Sequence, residues 1–187
     1  MPEYFSYSHF EAAAAMVRER THIEPRVGLI LGSGLSPLAD SVEDGIAFDY
    51  SELPHFPVST VEGHTGRFVV GHLEDQPVAV MQGRAHYYEG YSMAEITFPV
   101  RVMQTLGIEM LIVTNAAGGL NPDFQAGDVM LITDHINLIG MAGLNPLRGP
   151  NLDEFGPRFP DMSAVYDAEL RSEAARVAEE RAIPLHQ

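Results

Sequence analysis

Over residues 8–21 apolar side chains recur at helical spacing, with Phe10, Ala13, Ala14 and Val17 on one face. The pattern predicts an amphipathic helix entered from Ser8 as its N-cap. The apolar run Val27–Leu31 has the length of a buried strand, and Gly32-Ser33-Gly34 breaks it before a short helical turn. Residues 66–83 alternate around a turn at Glu74-Asp75-Gln76, which predicts a hairpin of GRFVVGHL and PVAVMQG. The loop RAHYYEGYS then leads into a helix at about 93–106, with Ile96, Val100, Met103 and Leu106 at helical spacing. Met110–Val113 reads as a buried strand ending in TNAAGGL, and Val129–Thr133 reads as another.

Segment 139–162 is rich in Gly, Pro and Asn and too long for a connector, so a functional or interface role is expected. An amphipathic helix follows over Ser163–Ala182. After it, Ile183-Pro184-Leu185 resembles the approach to a further strand, and a fragment is the favoured reading over a frayed tail. No internal repeat or linker interrupts the pattern. One α/β domain is expected over 1–187, incomplete at its C-terminal side.

Composition narrows the chemistry. With 187 residues, 45% of them hydrophobic, the chain can bury a real core. It has no apolar run of membrane-spanning length and no signal-peptide pattern at its start, so a cytoplasmic protein without a membrane partner is expected. Cys is absent, which removes thiolate catalysis, disulfides and Cys-ligated zinc. All 11 basic residues are arginines, so Schiff-base chemistry and a Walker lysine are excluded as well. The Lys-free, acidic composition fits either codon bias or salt adaptation. A net charge of −15 argues against nucleic-acid binding. An acidic protein that binds an anion must gather its few arginines locally.

The candidate residues are ambiguous one by one. Ser33 lies between two glycines at a strand end, where successive N–H groups and a hydroxyl suit an anion; an ordinary turn fits as well. Arg84 opens a loop after a strand and can fork onto phosphate; a surface ion pair with Glu89 is the plain alternative. His86 and Tyr88 alternate with Arg84 and share its direction if the stretch is extended. His64 sits in the Gly-flanked loop EGHTGR, where a proton carrier and a solvated histidine are both possible. His64 and His86 lack metal-ligand spacing, so no metal is expected. Ala116, in TNAAGGL, can contribute only its backbone N–H, at the strand end where open α/β sheets place ligands.

Taken together, GLILGSGL, EGHTGRFVVG, QGRAHYYEGYS, TNAAGGLNP and GPNLDEFGPRFPDMS closely resemble, in order and spacing, the trimeric purine nucleoside phosphorylases. The resemblance covers nearly the whole chain. It implies a phosphorylase/hydrolase-like α/β fold, a mixed central β-sheet flanked by helices. It also implies reversible phosphorolysis of purine (deoxy)ribonucleosides, inosine or guanosine, to free base and (deoxy)ribose 1-phosphate. Ser33, His64, Arg84, His86 and the Ala116 N–H would bind phosphate, with His86 also catalytic. Tyr88 would contact the ribose, and Phe159 would reach into a neighbouring subunit of a homotrimer and cover the sugar. Phosphate is a co-substrate, and neither cofactor nor metal is implied. In this family the purine-reading carboxylate and amide lie C-terminal to position 187, so the chain is expected to hold the phosphate side of the site and to be inactive, or nearly so, alone. The alternatives are a methylthioadenosine- or adenosine-preferring phosphorylase and an inactive phosphate-binding fragment.

Overall fold

A computed structural model describes residues 4–32, 34–58 and 66–187. The chain divides into two compact units. The first comprises residues 1–116 with 145–156, and the second comprises 117–144 with 157–187.

The first unit is built on a five-stranded sheet in the order β2-β3-β4-β1-β5. These strands are β1 (Val27–Leu31), β2 (Glu43–Asp49), β3 (Arg67–Leu73), β4 (Gln76–Gln82) and β5 (Met110–Val113). β1 runs parallel to both β4 and β5, whereas β2, β3 and β4 pair antiparallel. The sheet is therefore mixed, as expected. The hairpin closes on two residues, Glu74 and Asp75, both at positive φ, because Leu73 pairs with Gln76. That conformation matches the twist of the flanking strands.

Alternation along the strands splits the core in two. Ile30, Phe68, Val70, Ala79 and Met81 face one side, with α1 (Tyr7–Arg20) and α2 (Met93–Leu106). Leu29, Leu31, Val69, Val78 and Val80 face the other, where Ala39 and Val42 pack. Burial on both faces explains why β1 and β4 read as unbroken apolar runs. The buried positions of α1 are the four expected, but its N-cap is Ser6, whose backbone N–H donates to His9 Nδ1 at 2.9 Å. In α2 the buried face is Phe98, Pro99, Val102, Met103 and Leu106, so Ile96 and Val100 are only half-buried.

One further expectation, for β5, is corrected, and two features were not predicted. β2 carries three acidic residues in seven and lacks clean alternation, so its pattern is that of an edge strand rather than a core one. β5 is an edge strand with Leu111, Ile112 and Val113 exposed, not a buried one. Part of segment 139–162 is anchored in the first unit: the Phe155 ring lies 5.4 Å from that of Phe10, and the Arg101 guanidinium sits 4.6 Å above it.

In the second unit, β6 (Val129–Met130) pairs parallel with β7 (Leu185–His186). β6 is shorter and more exposed than its apolar run suggests, and the next helix, α3 (Ala168–Glu180), starts at Ala168 because Asp167 caps it through the Glu169 and Leu170 N–H groups. The strand expected after Pro184 is β7.

Candidate active site

Because β4, β1 and β5 are parallel neighbours, their C-terminal ends open on one edge of the sheet. Gly83-Arg84, Gly32 and Thr114-Asn115-Ala116 leave from those three ends. Ligands of open α/β sheets sit outside such an edge. The crowding there is severe: a Cβ on Gly32 would fall 2.7 Å from the Thr114 carbonyl oxygen, 2.9 Å from Asn115 Cα and 3.1 Å from Arg84 Nη1. Only glycine permits that approach. The Thr114 hydroxyl fastens the turn, accepting the Gly32 N–H at 2.9 Å and donating to the Ile30 carbonyl at 3.2 Å.

Arg84 is held across the same edge. Its Nη1 donates to the Leu31 carbonyl at 3.3 Å and to the Thr114 carbonyl at 3.2 Å. The ion pair with Glu89 is not formed, and no carboxylate among the described residues binds Arg84. Nε and Nη2 are likewise unengaged by any described residue, which leaves a half-buried cation with donors to spend on an anion. Behind it, the buried Tyr50 hydroxyl donates to the Gly83 carbonyl at 2.6 Å. Burial pushes the Tyr50 phenol far above its ordinary range, although the Arg84 charge pulls the other way, so the hydroxyl stays protonated as a donor. The Tyr50 N–H also donates to the Gly66 carbonyl at 2.9 Å.

His86 caps the 3-10 helix Tyr87–Glu89. Glu89, its side chain only 2% exposed, accepts the His86 N–H at 2.7 Å and lies 3.0 Å from Nδ1. This arrangement favours a proton on Nδ1 and fixes the ring. The extended stretch expected from Arg84 to Tyr88 ends at His86. Tyr88 reaches His86 by stacking instead, with ring centroids 4.9 Å apart and planes at 13°. Glu89 was not singled out from sequence, although its spacing three residues beyond His86 is that of a capping box.

Ser33 and His64 lie outside the described residues. Ala116 is exposed and two residues beyond the Thr114 carbonyl that receives Arg84. Tyr88 is exposed, and Phe159, in the second unit, is 87% exposed.

Comparison with known proteins gives a consistent picture. The family model described as the phosphorylase superfamily matches residues 26–187. Purine nucleoside phosphorylase 1 of Bacillus subtilis is 57% identical over 94% of the chain, and the mouse purine nucleoside phosphorylase is 53% identical over 93%. The chain spans only 64% and 60% of the length of these two relatives. Among solved structures, isoform 2 of the Schistosoma mansoni purine nucleoside phosphorylase, bound to cytosine and ribose-1-phosphate, superposes with a TM-score of 0.93 at 42% identity. It matches 100% of this chain and 66% of its own. A Schistosoma purine nucleoside phosphorylase in complex with hypoxanthine gives a TM-score of 0.90 at 43% identity over 98% of this chain.

Proposed function

The chain belongs to the phosphorylase superfamily, and from that premise we propose that its protein phosphorolyses purine nucleosides, inosine or guanosine, to free base and ribose 1-phosphate. A phosphate oxygen forms a bond to the anomeric carbon as the bond from that carbon to the purine nitrogen breaks. The electron pair leaves with the purine, which takes up a proton. Positive charge develops on the sugar, as in glycoside hydrolysis, and the phosphate dianion both stabilises it and attacks.

In this reading the protein supplies no nucleophile. Its task is to position an anion and aim donors at it. Arg84, His86 and the Ala116 N–H bind phosphate, together with Ser33 and His64, and Glu89 orients the His86 ring. Tyr88 contacts the ribose. The enzyme is a cytoplasmic homotrimer of purine salvage, without cofactor, in which Phe159 covers the sugar in a neighbouring subunit. The exposure of Phe159 supports that role. Residues 1–187 form one nucleoside phosphorylase domain carrying the phosphate side of the site.

The observation that carries the reading is the Arg84 guanidinium, held on the ends of two parallel strands with Nε and Nη2 unengaged by the described residues. The test is the release of hypoxanthine and ribose 1-phosphate from inosine by the complete gene product, titrated with inorganic phosphate. Turnover that does not depend on phosphate, or no turnover, sinks the proposal.

A further inference from the structure

A polar network behind the strand ends ties together the segments that carry the phosphate residues. Gln82, the last residue of β4, is 3% exposed. Its Nε2 donates to the Ser36 carbonyl at 2.9 Å, and its Oε1 accepts from Arg67 Nε at 2.9 Å. Arg67 is the cross-strand partner of Gln82, and its Nη2 donates to Asp40 Oδ1 at 3.1 Å. Asp40 Oδ1 also lies 3.5 Å from Gln82 Nε2, so the three side chains close a ring. Ser36 and Asp40 belong to the 3-10 helix Ser36–Ser41, which follows the Gly-Ser-Gly sequence at 32–34.

The placement of these groups along the chain is the point. Ser36 stands three residues after Ser33, Arg67 three after His64, and Gln82 two before Arg84. Each of the three segments leaves a different part of the fold, and the backbone of the sheet does not join the 3-10 helix to β4. The side chain of Gln82 does.

We propose that Asp40, Arg67 and Gln82 are positioning residues that set the spacing of the phosphate-binding segments, without touching substrate themselves. This rests on the phosphorolysis reading above. A buried amide satisfied at both ends fixes a geometry, because releasing either end leaves a buried polar atom unpaired. Asp40 is the sensitive probe, since its side chain is 62% exposed and packs against little, so its truncation disturbs the network while leaving the core intact.

The experiment measures KM for phosphate, KM for inosine and Tm on the complete gene product and four variants. Asp40→Ala and Gln82→Leu are expected to raise the phosphate KM by roughly 10-fold, as displaced binding groups do, with the inosine KM held within about twofold. Asp40→Asn, which keeps an acceptor for Arg67, is expected to restore the phosphate KM. An unchanged phosphate KM in Asp40→Ala overturns the proposal, even if Gln82→Leu fails to fold. Equal rises in both KM values with a falling Tm also overturn it, since they mark a network that only holds the fold. In either case the phosphorolysis reading stands if Arg84→Ala still weakens phosphate use. A wild-type protein without phosphate-dependent turnover overturns both.

Discussion

Glu89 grips His86 at two points, accepting its backbone N–H at 2.7 Å and lying 3.0 Å from its Nδ1. A carboxylate so placed fixes both the ring and its tautomer, directing Nε2 to whatever His86 serves. Glu89→Gln keeps an acceptor for the backbone but substitutes a neutral amide beside the ring. The expected outcome is a loss on the order of 10²-fold in kcat/KM for phosphate, with Tm little changed. Steady-state kinetics at varied phosphate checks it, and unaltered kinetics would remove the pair from the site.

Arg84→Ala removes a charged donor from the strand ends. A hydrogen bond to a charged group contributes about 1.5–3 kcal/mol, so phosphate affinity should weaken roughly 10- to 150-fold. Calorimetric titration with phosphate reads this directly. Arg84→Lys should recover only part of the loss, because an ammonium keeps the charge without the planar fork.

Tyr50→Phe deletes the donor to the buried Gly83 carbonyl and nothing else. An orphaned buried acceptor costs about 1–3 kcal/mol. Thermal unfolding should show Tm lower by several degrees. Because Gly83 immediately precedes Arg84, a shift of this carbonyl should raise the phosphate KM as well.

His55 introduces a pH dependence. Its ring faces His9 at 4.8 Å and the rings of Phe5 and Phe98 at 5.8 Å. Burial and then the His9 charge lower its pKa below the ordinary 6.5. The unfolded chain then binds the proton more tightly, so the stability this group contributes is complete above pH 6.5 and declines as pH falls below it. Asp128, its pKa lowered first by the Gln125 N–H, and Asp161, lowered by Ser163, act only at more acid pH. Melting curves between pH 7.5 and about 5.5 should therefore drop toward acid, and less so in His55→Asn, where Asn tolerates the positive φ of 64°. Parallel curves for the two proteins would refute the assignment.

Phe159→Ala should raise the nucleoside KM while leaving phosphate affinity nearly intact. Its ring is 87% exposed, so truncation should leave Tm within a degree or two of wild type. A collapse of phosphate binding would show that its proposed place over the sugar is wrong.

Much of the site's scaffold was legible from local pattern. The run Val27–Leu31 announced a buried strand and the following glycines a break suited to close backbone approach, though that Gly32 packs against Thr114 and Arg84 emerged only from the fold. Arg84 stood out because a Lys-free, acidic chain offers few cations to an anion. Glu89 was harder to see: the sequence offers it as an ion-pair partner for Arg84 only as the plain alternative, and it is the 3-10 turn at 87–89 that brings it to His86. β2 was missed, since an exposed edge strand needs no apolar alternation to pair.

Sequence alone determined the hairpin, the two packing helices and the ordered motifs that resemble one family, because period, caps and turn residues act over a few positions. Tertiary structure decided which strand ends are neighbours. The contact between Gly32 and Thr114, 82 residues apart, and the bond from Gln82 to Ser36, 46 residues apart, follow from sheet order. Sheet order is settled by the packing of all the strands and helices together, which no local pattern encodes.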